Sequence, residues 1–364
     1  MMKRAMIFMA AALVAACGSD DVFNGSDATS SGNGSGAGST TGGGGEATGA
    51  GGDASTTSGA GGSTTTTGVG GGNPMTAPDP EMVGPYTTAV IDDTVTVPAT
   101  GASVDIHCVY PTAGPDAGPY PVVVLGHGFN IAPSQYYSYV EHLASFGYIA
   151  LTVDFPTSFL SPNHVENAQE LAYGIDWAAA DATVGPIVDA MNAGTTGHSL
   201  GGKLAVQVAA DDTRVQATFG LDPVDGSMSC SPQNCPDVTD MLPLPIPTGF
   251  VGETLDSTGF QSCAPAADNF ETFYAPASSP SLSVEVLGAN HVSFVDNLAT
   301  CGLSCSFCNA ATAMQDDVRL LSRAMMVAFF ERHLRGDTRY DAYLTGARAQ
   351  MRYVDSGLAT IQSK

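Results

Sequence analysis

The segment Gly197-His198-Ser199-Leu200-Gly201-Gly202 constrains this chain more than any other. Glycines on both sides of Ser199 permit a turn so tight that side chains there would collide with neighbouring backbone. Residues 203–210, Lys-Leu-Ala-Val-Gln-Val-Ala-Ala, supply the apolar helix that should follow. Residues 193–196, Ala-Gly-Thr-Thr, supply only a feeble strand before it, which neighbouring strands would have to hold in a sheet. Strand, turn and helix in this order raise a serine hydroxyl at the head of the helix, the arrangement called a nucleophile elbow. A chain with 43 glycines can produce G-x-S-x-G by chance, so the surroundings must carry part of the argument.

Those surroundings alternate strand and helix. Residues 94–97 and 103–110 read as a hairpin, and 121–125, Pro-Val-Val-Val-Leu, as a strand buried on both faces. Residues 148–153 form another buried strand. Helical spacing joins Tyr136, Val140, Leu143 and Ala144 within 134–146, and Leu171, Ile175 and Ala178 within 165–180. A last long helix carries Met314, Val318, Leu321, Met325, Ala328 and Phe329 inward, with Arg332 and Arg335 where cations suit a helix C-terminus. The pattern predicts an α/β fold with a mostly parallel central sheet and helices on both faces.

Two further segments suit a reaction at Ser199. Gly126-His127-Gly128-Phe129 follows the 122–125 strand, so the backbone N–H of Phe129 can join that of Leu200 as an oxyanion hole. Gly288-Ala289-Asn290-His291 follows a strand at 282–287 and lies C-terminal to the serine, where this architecture keeps its general base. Of seven histidines only His291 has that order and context. His198 adjoins the nucleophile but is expected to point elsewhere, because adjacent elbow side chains diverge. His107, His142 and His164 read as structural or surface residues. The acid must lie between serine and histidine in the chain. Asp222 ends the strand after the nucleophile helix; Glu253 and Asp256 end the next one. A strand-end carboxylate is often only a cap, and both places stay open on these grounds.

The set Gly126-His-Gly-Phe129, Gly197-His-Ser-Leu-Gly-Gly202, Leu221-Asp-Pro-Val-Asp-Gly226, Cys263-Ala-Pro265 with Asn269-Phe270, and His291 with Asp296 resembles the chlorophyllase family and its bacterial relatives. It is similar also to platelet-activating-factor acetylhydrolases and, more loosely, to cutinase-like polyester hydrolases and dienelactone hydrolases. The resemblance covers about residues 121–337. It implies the α/β-hydrolase fold and ester hydrolysis, a triad chemistry that needs no cofactor, and it carries the acid to Asp222 rather than to Glu253 or Asp256. Leu200 departs from the arginine that chlorophyllases commonly have after the serine, so the resemblance leaves the substrate open.

The N-terminus suggests export. Lys3 and Arg4 precede an apolar run over residues 5–16, too short to span a bilayer. The run ends Leu13-Val14-Ala15-Ala16-Cys17, which resembles the lipobox of bacterial lipoproteins. Residues 1–16 are therefore expected to be a signal peptide and Cys17 a lipidated N-terminus on a bacterial membrane, facing periplasm or cell surface. Residues 17–79, rich in Gly, Ser and Thr, have too few large apolar groups to fold and are expected to be a disordered tether with a reach of about 45 Å. The folded domain is expected over 80–364.

Charge narrows the partners. The formal net charge is −24, and after Arg4 the next Lys or Arg is Lys203. No basic stripe could neutralise phosphates, so nucleic acid is an improbable partner and a small neutral ester suits the field best.

The chain has eight cysteines, seven without Cys17. Cys301-x3-Cys305-x2-Cys308 has the spacing of an iron–sulfur motif, but it follows the candidate base and the chain is expected outside the cytoplasm, where disulfides prevail. Zinc is a weaker alternative, since three thiolates cluster without a histidine at finger spacing. Cys108, on a core strand, is expected to be the unpaired thiol, and Cys230–Cys235 the first pair to test. No metal is expected.

Together these features predict a serine carboxylic-ester hydrolase working through Ser199, His291 and Asp222 and an acyl-enzyme intermediate. The alternatives are a surface binding module that kept the fold, or an acyltransferase or peptidase with the same residues.

Overall fold

A computed structural model describes residues 76–226, 230–259 and 262–364. The expected signal peptide, Cys17 and nearly all of the expected tether lie outside the described residues.

The strand order follows from alternation. Strands β1 (Thr87–Thr96), β2 (Ser103–Ala113), β3 (Tyr120–Gly126), β4 (Ile149–Asp154), β5 (Val188–His198), β6 (Val215–Leu221), β7 (Thr248–Glu253), β8 (Ser281–Val286) and β9 (Ala359–Ser363) form one sheet. Their order is β1-β2-β4-β3-β5-β6-β7-β8-β9. Strands β3 to β8 are mutually parallel, while the β1–β2 hairpin and β9 close the two edges antiparallel. This is the α/β-hydrolase architecture.

The apolar run of β3 serves two cores at once. Successive side chains of a strand point to opposite faces. Val123 and Leu125 join a cluster with Tyr139, Val140, Leu143, Phe329 and Phe330, from α1 (Tyr137–Ser145) and a long helix at Gln315–His333. Val122 and Val124 join Leu171, Ile175, Leu204 and Val206, from α2 (His164–Ala180) and α3 (Leu200–Asp211). Burying such a side chain contributes roughly 1.5–3 kcal/mol.

The weak strand is held as its sequence requires. β5 extends over Val188–His198 between β3 and β6. Thr195 and Thr196 satisfy their hydroxyls on Ala205 O and Phe219 O. Gly194 leaves room for Phe330, whose ring would lie 2.8 Å from an added Cβ.

Two local readings are corrected. The helix expected over 134–146 is a 3₁₀ turn (Pro133–Tyr136) followed by α1, because Tyr136 leaves helical geometry at φ −131° and ψ 10°. Its ring then reaches His198 beneath the site. The polar strand β9 was not foreseen; it covers the edge of β8. Upstream of residue 80, Ala77 is buried in the core and Asp79 pairs with Arg352 at 2.7 Å.

Disulfides join Cys230 to Cys235, Cys263 to Cys308, and Cys301 to Cys305. Among the described residues Cys108 is the buried, unpaired cysteine. The cysteine cluster is thus spent on disulfides, which removes the thiolates that a zinc site would need.

Candidate active site

At the end of β5 the backbone turns sharply into α3. Ser199 sits at the helix N-cap with φ +55°. A non-glycine residue there stores roughly 1–3 kcal/mol of strain, which the surroundings must offset. They do so by main-chain contact. An added Cβ on Gly201 would lie 2.0 Å from Gly126 O, and one on Gly197 would lie 2.4 Å from Gly201 C and O. The Ser199 N–H donates to Leu221 O at 3.1 Å, and Ser199 O accepts from Val224 N and Lys203 N.

Three side chains meet at this turn. Ser199 Oγ lies 2.8 Å from His291 Nε2. His291 Nδ1 lies 2.6 Å from Asp222 Oδ2. Asp222 follows β6 at φ +43° and is fully buried. Burial pushes its carboxyl above the usual range, opposed by the hydrogen bond and charge of His291. Pro223 packs against the elbow, its Cβ 2.9 Å from where a Gly202 side chain would start. The acid loop is also pinned by a buried ion pair, Lys203 Nζ to Asp225 Oδ1 at 2.9 Å.

The other two carboxylates are near but hold backbone instead of the imidazole. Asp256 Oδ2 accepts the backbone N–H of His291 at 2.8 Å, and its Oδ1 accepts from Asn309 N at 2.8 Å. Glu253 Oε2 accepts from the backbone of Leu255 and Asp256. Burial, then the charge of Asp222, pushes Glu253 up to about 8.

Leu200 begins α3, so its N–H belongs to the first turn and has no intrahelical acceptor. The peptide joining Gly128 to Phe129 is gripped at its carbonyl end, where Gly128 O accepts from Ile131 N at 3.1 Å and lies 2.9 Å from His127 Nδ1. The Phe129 ring packs edge-on against Phe159, which is 61% exposed.

Residues 83–351 match the chlorophyllase family. The chain belongs to that family. Within it and beyond, the chain is similar to chlorophyllase-2 of Arabidopsis thaliana, 27% identical over 249 residues, 62% of this chain and 76% of that protein. It is similar to a bis(hydroxyethyl) terephthalate hydrolase of Streptomyces coelicolor, 28% identical over 212 residues, 58% of this chain and 62% of that protein. A cutinase of Thermobifida alba is 25% identical over 229 residues, 62% of this chain and 64% of that protein. The family match spans both the elbow and the His291 loop.

Sequence reasoning did not assign the buried partners of His291. His198 is fully buried, with Nε2 2.7 Å from His291 O and Nδ1 2.8 Å from Tyr136 Oη. The signal available was a histidine inside an otherwise apolar elbow, which needs partners once buried.

Proposed function

We propose that the chain hydrolyses small neutral carboxylic esters through a Ser199–His291–Asp222 triad and an acyl-enzyme. The observation that carries this reading is the continuous path from Ser199 Oγ through both imidazole nitrogens to Asp222, at 2.8 and 2.6 Å. Ser199 attacks the ester carbonyl while His291 Nε2 takes its proton, and Asp222 stabilises the imidazolium. The backbone N–H groups of Phe129 and Leu200 donate to the oxyanion. His291 then returns the proton to the departing alcohol. Water repeats the sequence on the acyl-enzyme and releases the acid. One such donor is worth about 3 kcal/mol of transition-state stabilisation.

Membership of the chlorophyllase family and the ester-hydrolase names of the relatives support this chemistry. The test is covalent labelling. A fluorophosphonate should modify Ser199 in the wild type, and Ser199→Ala should lose both label and turnover with an unchanged circular dichroism spectrum. Labelling at another residue, or turnover in the variant, overturns the assignment.

The same reading takes the domain expected over residues 80–364, with Ala77 and Asp79 packed onto it, as catalytic, exported and tethered through Cys17. The lipobox-like end of the apolar run supports it, as do three disulfides among the described residues. Cys17→Ser should move the protein from the membrane fraction to the soluble one. A wild type already soluble refutes the anchor.

A further inference from the structure

We infer that His198 and Tyr136 are positioning residues that couple the loop carrying His291 to the oxyanion turn. This rests on the triad reading above.

The argument begins with donors and acceptors. His291 O can only accept, so the proton between it and His198 belongs to His198 Nε2. A neutral His198 then has a lone pair on Nδ1, and the Tyr136 hydroxyl donates to it at 2.8 Å. The hydroxyl oxygen in turn accepts the N–H of Gly128 at 3.3 Å. All three bonds therefore run in one direction: Gly128 N–H to Tyr136 Oη–H to His198, and His198 Nε2–H to the carbonyl of His291. Tyr136 and His198 are fully buried, so water cannot replace a missing partner.

Neutrality of His198 follows from its setting. The titratable groups against it are Tyr136 and His291, and the Phe294 ring stands 5.8 Å from its own. Among the described residues no carboxylate touches it to support a positive charge. Burial, reinforced by His291, lowers its pKa well below the usual range.

The two ends of this relay are what give it a role in the reaction. At one end, the carbonyl of His291 is held by His198 while its N–H is held by Asp256 at 2.8 Å. Both backbone groups of the general base are thereby fixed by buried side chains. At the other end lies Gly128, whose peptide to Phe129 carries the expected oxyanion donor. Glycine keeps that contact uncrowded, because a Cβ on Gly128 would lie 3.0 Å from Tyr136 Oη and 3.1 Å from His198 Nδ1. Base and oxyanion donor are thus registered to each other through the residue that precedes the nucleophile.

The experiment uses the full chain and the variants Tyr136→Phe, His198→Leu and His198→Gln. Fluorophosphonate labelling of Ser199 in the wild type first establishes the triad reading; its absence there counts against that reading and not against the relay. Tyr136→Phe and His198→Leu are expected to lower kcat and the labelling rate by about a hundredfold with KM within about twofold, as for a displaced catalytic group. His198→Gln keeps an Nε2–H donor for His291 O and is expected to recover about tenfold of that loss. Long-range ¹H–¹⁵N spectra of the wild type give a readout independent of turnover and of variant folding. His198 is expected to remain a neutral Nε2–H tautomer from about pH 5 to about pH 9. An Nδ1–H tautomer, titration of His198 inside that range, or folded Tyr136→Phe and His198→Leu proteins with wild-type kcat each overturn the proposal.

Discussion

Asp256 accepts the main-chain N–H of His291, while Asp222 accepts from its imidazole. Two buried carboxylates therefore grip one residue from two sides, and their substitution should have separable effects. One sets the tautomer of the ring; the other sets where the ring stands.

Asp222→Asn should be the most damaging acid variant. An amide facing Nδ1 favours the wrong tautomer, a defect that cost about 10⁴-fold in kcat in a well-measured protease triad. Asp256→Asn loses one of two backbone acceptors and puts an amide N–H against a backbone donor, so kcat should fall by about ten- to a hundredfold with a lower melting temperature. Glu253→Gln keeps an acceptor for Leu255 and Asp256 and should stay within about tenfold of wild type, or about 1.4 kcal/mol in the barrier. Steady-state kinetics on a short-chain ester, with circular dichroism as the folding control, rank the three. A ranking with Asp256 or Glu253 lowest would move the acid to the later loop.

Glu253 also gives a pH signature. Burial raises its carboxyl from the usual 4.5 to about 8. Between those values the folded protein keeps a proton that the unfolded chain has released. The contribution is complete below about 4.5 and is lost as pH rises through about 8. Glu253→Gln cannot release a proton, so its melting temperature should fall less steeply than wild type across this window. Glu331 and Asp225, both raised to about 7 chiefly by burial, act alike in the two proteins and cancel in the difference. Parallel melting curves at all pH values would contradict the shift.

The Cys263–Cys308 disulfide should matter more than the shorter one beside it. Cys308 precedes Asn309, whose backbone N–H donates to Asp256 and whose carbonyl accepts from Asn290 Nδ2 at 2.5 Å. Its sequence separation of 45 exceeds the separation of 4 between Cys301 and Cys305. Closing the longer loop should contribute about 4 kcal/mol against about 2 for the shorter. The Cys263→Ser, Cys308→Ser double variant should lose thermal stability and kcat together, because the same crosslink steadies the segment that holds His291. Equal melting temperatures for this variant and a Cys301→Ser, Cys305→Ser variant would refute the ranking.

Much of the fold was legible because its signals are local. The run 121–125 can only be a strand with apolar neighbours on both faces, and β3 is that strand, split between two cores by its pleat. Ser199 and His291 were legible from motif and chain order, and the structure brings their side chains together. Tyr136 was not, because a tyrosine at helical spacing reads as core until its hydroxyl is seen to bridge Gly128 and His198. The division of labour between Asp222 and Asp256 was hidden for a related reason. Each ends a strand beside the site, and only three-dimensional register decides which faces the ring and which the peptide.

The contact between Gly126 and Gly201 has a consequence for how such a site can change. The gap between the end of β3 and the start of α3 is set by main-chain atoms alone, since neither residue has a side chain to interpose. At this point the separation of the Gly126 turn from the Ser199 elbow is set by backbone contact. That one distance is written in the backbone, while the placement of His291 is written in the side chains of Asp222, Asp256 and His198.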